Sequence, residues 1–183
     1  MTSRAPLALA ALSLALLGLA GCSSAAPEAS DAVTPSPTAE AAESTDAGDC
    51  AGVVVIVDTA DLETPDDPSL STCVDADAPV LAADLLAEAG VTTEGTQEYG
   101  DQVVCRVNGV PAEDLAIPAP DGTEYHEACA SMPAAFAYWS LWVRPADGEW
   151  GYAQEGLETL EVAPGDSLEL LFTLNDQPAS PTS

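Results

Sequence analysis

Five cysteines are placed so that one, Cys22, closes an apolar N-terminal stretch, and four, Cys50, Cys73, Cys105 and Cys129, are spread over the next hundred positions. An even set of cysteines in an exported chain reads as two disulfides, which fixes how the intervening segments can be arranged before any strand or helix is assigned. Four cysteines allow three connectivities, and spacing alone does not select one. Cys50–Cys73 and Cys105–Cys129 are favoured because each closes a local loop of similar length, worth about 3 kcal/mol on the chain-entropy model. Metal ligation is the competing reading. It is weakened by the lack of any C-x-x-C pair and by a single imidazole, His126, so no metal site is assigned.

Export follows from the N-terminus. Arg4 supplies a short basic n-region, and Ala5 to Leu19 form an apolar stretch too short and too rich in small residues to be kept as a spanning helix. Leu19-Ala20-Gly21-Cys22 then resembles a bacterial lipobox. In that chemistry the Cys22 thiol takes up a diacylglyceryl group, and small Ala20 and Gly21 let a peptidase close on the bond before it. One acyl chain binds a bilayer only marginally, with an association constant of about 10⁴ M⁻¹, whereas two anchor durably. The expected arrangement is a leader over 1–21, a lipidated Cys22 followed by a disordered spacer to residue 49, a folded domain over 50–175 and a disordered tail over 176–183. The spacer is rich in Ala, Ser, Thr, Pro and acidic residues, with Thr34-Pro35-Ser36-Pro37-Thr38 at its centre. It would reach about 30 Å as a coil and about 80 Å if extended. The mature protein is thus expected at the cell membrane, lipid-anchored on its extracytoplasmic face.

Charge narrows the partners. Three basic residues against 31 acidic ones, with a formal net charge of −28, leave no lysine/arginine footprint for a phosphate backbone. Nucleic acid is excluded on that ground, and so is electrostatic attachment to anionic lipid.

Within the domain, the β-branched run Val53 to Val57 reads as a central strand buried on both faces. Asp58 to Ser71 is acidic and proline-punctuated and reads as a loop. Asp77 is placed to cap a helix over about 79–89, with Leu81, Leu85 and Leu86 as its apolar stripe and Gly90 as its stop. Strands follow over 92–98 and 103–107, the latter ended by Asn108-Gly109, and then a disulfide-bridged excursion from Pro111 to Met132. Tyr138 to Val143 alternates, Asp147-Gly148 turns it towards 150–154, and Pro164-Gly165-Asp166 leads into a last strand, Ser167 to Leu174. The expectation is a small α+β domain, a mostly antiparallel sheet with one packed helix and two disulfides.

Catalytic patterns do not assemble. There is no G-x-S-x-G elbow, one histidine, and no phosphate loop or lysine to serve one. The acids Asp58, Asp61, Glu63, Asp66, Asp67, Asp75 and Asp77 lack the spacing and closing Glu of a calcium loop. No enzyme activity and no resident cofactor are assigned. Six of the nine aromatic residues fall between Phe136 and Tyr152. On an alternating strand Tyr138 and Trp142 share one face and Trp139 the other, so one set packs the core while the other lies under the long loop or is exposed. Tyr138, Trp139, Trp142, Trp150 and Tyr152 are the candidate ligand surface, for a small molecule or an envelope protein.

Several strings also carry a family resemblance. Gly95-Thr96-Gln97-Glu98-Tyr99-Gly100, Val104-Cys105-Arg106-Val107-Asn108-Gly109, Cys129 with Pro133 after it, and Ala137-Tyr138-Trp139-Ser140-Leu141-Trp142 resemble small secreted proteins of GC-rich Gram-positive bacteria. Their shared module is similar to the C-terminal domain of the cobalamin carriers transcobalamin and intrinsic factor. The resemblance spans roughly Val53 to Leu174, with an insertion around Pro118 to Glu127. It implies a β-grasp-like α+β fold without catalytic activity, and a link to vitamin or metal-ion uptake.

Overall fold

The computed structural model describes residues 50–182. Residues 1–49, on which the expected leader, lipidated Cys22 and spacer fall, and Ser183 lie outside the described residues. The central strand pair is β1 (Val53–Asp58) and β11 (Ser167–Leu174), which run parallel, with Val54 opposite Ser167 and Asp58 opposite Leu171. β2 (Leu70–Val74) adds antiparallel to β1, β8 (Ala137–Arg144) antiparallel to β11, and the short β9 (Gly151–Tyr152) to the outer edge of β8. The sheet order is β2-β1-β11-β8-β9, so three of its four pairings are antiparallel. β1 and β11 are buried on both faces, which accounts for the continuous apolar run of β1, while β11 also buries Ser167, Glu169 and Thr173.

One face of this sheet presents Val53, Val55, Val57, Leu168, Leu170, Phe172 and Trp139 to the core. The helix α1 (Ala82–Glu88) covers it with Ala82, Leu85 and Leu86. The helix is shorter at its start than the periodicity predicts. Val80–Leu81 instead form β3, paired with β10 (Glu161–Val162), and Leu81 occupies the N-cap position without a side-chain cap. Asp77 therefore does not cap. Ala82 N–H is satisfied by Leu160 C=O at 2.9 Å instead. At the other end Gly90 takes φ of 75°, the left-handed stop expected there.

β4 (Thr93–Thr96) and β5 (Gly100–Val107) form a separate two-stranded hairpin with a register irregularity around Gly95. The backbone of Gly100 passes so close to Gly95 that no β-carbon fits there. The excursion 111–132 contains one small ladder, β6 (Ile117–Pro118) with β7 (Glu124–Tyr125). The cysteines pair as Cys50 with Cys73 and Cys105 with Cys129, with Cα separations of 5.6 and 5.7 Å, within disulfide reach. The first ties the start of β1 to β2, and the second ties β5 to the excursion. Residues 176–182 do not leave the domain directly: Leu174 and Gln177 exchange backbone hydrogen bonds at 2.8 and 3.0 Å across a turn. No helix among the described residues is long and apolar enough to cross a membrane.

Candidate functional site

Arg106 on β5 organises the excursion. It is nearly buried and uses its whole fork. Its Nε–H donates to Pro111 C=O at 2.8 Å, one amino group to Glu127 C=O at 2.6 Å, and the other to the Glu94 carboxylate at 2.9 Å. The Glu127 carboxylate is buried in turn, accepting from Cys129 N–H at 2.7 Å and from the Tyr125 hydroxyl at 2.5 Å. Burial, and then the hydrogen bond to Glu127, push the Tyr125 phenol up to about 12. The Tyr125 ring meets Phe136 edge-on with centroids 5.5 Å apart. Gln97 N–H donates to Cys129 C=O at 2.7 Å, and the Ser131 hydroxyl donates to the Glu98 carboxylate. Together these contacts fasten residues 127–136 onto the β4–β5 hairpin.

That fastening creates a groove. On one side runs the first half of β5, which pairs only with β4 in its own ladder. On the other runs β8, whose outer edge is paired by β9 at Trp142 and Val143 and accepts from Ala153 N–H at Leu141 C=O, 2.9 Å. At one end Val103, Met132, Pro133, Ala134, Tyr138 and Trp139 line a cavity of about 370 Å³. Val103 and Trp139 also line the adjoining cavity of about 310 Å³, which continues past Asp101, Gln102, Leu157 and Glu155. A third, of about 330 Å³, extends along Asp101 and Gln102 to Glu158 and Thr159. Met132 is 62% exposed at the apolar end.

The five aromatic residues singled out in the sequence do not form one exposed platform. Trp139 lies on the helix-facing side, 7% exposed, its Nε1–H donating to Val110 C=O at 2.9 Å and its ring edge-on to Phe172. It is a core residue whose remaining surface lines the groove. Tyr138, Trp142 and Tyr152 sit on the opposite face. Trp142 is 5% exposed, stacked on Tyr152 with centroids 3.8 Å apart, and donates its indole N–H to the Ser140 hydroxyl, which donates to Leu171 C=O. Only Tyr152, 51% exposed, offers a large open ring. Burial, and then its hydrogen bond with Tyr138, hold its phenol above the usual tyrosine range. Trp150 lies under the Arg144 guanidinium, 4.8 Å from ring centroid to Cζ.

The remaining candidates are dispersed. His126 is exposed on the excursion. Asp67 accepts from the Thr59 hydroxyl and from Ser69 N–H, both at 2.9 Å, and its bonds to Ser69 hold its carboxyl below the usual range. The acidic loop thereby uses this carboxylate to fix its own turn. Glu94 lies beside the Cys105–Cys129 pair, but disulfide sulfurs are not thiolate ligands. The groove residues Asp101, Val103 and Met132 were not singled out from the sequence, because two elements distant in the chain create the site. Comparison with protein-family models, with characterised proteins and with solved structures finds no match for this chain.

Proposed function

We propose that the protein is an extracytoplasmic lipoprotein, attached to the cell membrane through acylated Cys22 and the spacer that follows it. Its domain acts as a non-enzymatic, β-grasp-like binding module for a small cofactor or vitamin, in the service of uptake. One observation carries the reading: the groove between β5 and β8, with an apolar end of about 370 Å³, within the size range of small-molecule sites. The disulfide and the Arg106 fork hold the excursion that walls one side in place, so little ordering cost remains to oppose binding.

The test is thermal unfolding of the full oxidised chain against a panel of vitamins and small cofactors, in parallel with Met132→Asp. A ligand at a hundred times its Kd adds about 2.7 kcal/mol to stability. One compound should raise the midpoint saturably in the wild type and fail to do so in Met132→Asp, whose own midpoint should stay unchanged because Met132 is largely exposed. If no compound stabilises, or if the stabilisation survives Met132→Asp, the groove is not the site.

A further inference from the structure

The groove is apolar at one end and acidic at the other. Asp101, Glu155 and Glu158 line its acidic half, all three exposed, with Gln102 and Gln154 between them. Among the described residues no basic side chain lines the groove. The chain has three cationic side chains, Arg4, Arg106 and Arg144. Arg106 is bound to Pro111, Glu127 and Glu94, Arg144 sits over Trp150, and neither lines the groove. Arg106 forms its ion pair with Glu94, which does not line the groove.

We infer that the groove takes an organic cation, an amine, guanidinium or quaternary ammonium carried on an apolar or planar body; this rests on the binding role proposed above. The charge complementarity is one-sided. A cleft lined by one sign of charge concentrates counter-ions of the other, and the charged residues that line this one are all acidic. An anionic ligand of the same shape would be repelled by three carboxylates and by the rest of a chain with net charge −28. Asp101 and Val103 lie two residues apart on an extended strand, so about 7 Å separates the acidic and apolar ends at their nearest. That distance fits a ligand whose charge stands a few bonds from its ring. Tyr138 and Trp139 both line the apolar end, and aromatic residues tolerate a nearby cation.

The test uses three probes of near-equal shape, phenylpropylamine, phenylpropanol and phenylbutyrate, titrated into the full oxidised chain by calorimetry at physiological salt. A second protein carries Asp101→Asn, Glu155→Gln and Glu158→Gln together, exposed changes that should leave its circular dichroism unaltered. The cation should bind at least about tenfold more tightly than the alcohol, a 1.4 kcal/mol preference, with the carboxylate weakest. In the triple variant that preference should fall to within about twofold while the alcohol binds as before. Equal binding of amine and alcohol to the wild type, lost in Met132→Asp, would overturn the cation inference and leave the binding role standing. A cation preference that persists in the triple variant overturns the assignment to these acids. No binding by any probe overturns both the inference and the role on which it rests.

Discussion

Replacing Arg106 by Leu tests how the groove wall is held. The side chain makes three polar contacts, and they are not equal. Glu94 is 56% exposed, so the ion pair with it is worth at most about 1 kcal/mol. The bonds to Pro111 C=O at 2.8 Å and Glu127 C=O at 2.6 Å are different. They come from a charged donor in a buried setting, and truncation strands two carbonyls away from water. Charge-assisted bonds of this kind contribute about 1.5–3 kcal/mol each, so the loss should be about 3–5 kcal/mol, dominated by the carbonyls. For a domain of this size that corresponds to a fall of about 10–20 °C in the unfolding midpoint. The assay is thermal unfolding by circular dichroism with both disulfides intact, together with limited proteolysis of the excursion. Arg106→Lys keeps the charge but not the fork, and should recover less than half of the loss. A midpoint within about 3 °C of wild type for Arg106→Leu would refute the argument that these carbonyls depend on Arg106.

Trp139→Ala should cost about 3–5 kcal/mol, because it empties a core position against Phe172 and leaves Val110 C=O without its indole donor; denaturant unfolding reads it, and a loss under about 1 kcal/mol contradicts the core assignment. Two titrations set the pH range. The Tyr125 phenol is raised in the fold, so the stability it supplies is complete below about pH 10 and disappears as pH climbs towards about 12. The Asp67 carboxyl is lowered, so its contribution is present above the usual aspartate range and disappears as pH falls through the folded value. Unfolding midpoints across pH, compared with Tyr125→Phe and Asp67→Asn, should show each slope flattened in the matching variant. Cys22→Ser should abolish acylation and release the protein from the membrane fraction, as read by mass spectrometry and fractionation; a membrane-bound Cys22→Ser would remove the anchor from the account.

Local pattern carried much of this fold. The β-branched run at Val53, the alternation at Tyr138 to Val143 and the Gly90 stop are properties of short segments, and each appears where its chemistry places it. The favoured cysteine pairing rested on loop length, a chain property visible without coordinates, and the same pairs stand at disulfide distance. β2 is not legible in the sequence because Leu70–Val74 is a polar edge strand that emerges from an acidic, proline-rich segment. The helix starts later than its periodicity predicts because Val80–Leu81 satisfy their backbone through β10, some eighty residues away in the chain. The site was less legible for the same reason. Aromatic density flagged Tyr138 and Trp139, but a groove between two non-sequential strand edges leaves no signature at Asp101, Val103 or Met132. The sequence assigns Arg106 no structural role, because two of its three acceptors are backbone carbonyls, which composition does not register.

The most direct test of the binding account uses Met132, one of only two methionines in the chain. Its ε-methyl group stands exposed at the apolar end of the groove and gives a sharp, assignable signal in methyl-labelled protein. A compound that stabilises the protein should shift that resonance saturably, with a midpoint matching its thermal-shift affinity. Stabilisation by a compound that leaves the Met132 methyl unmoved at saturation would contradict the groove as the binding site.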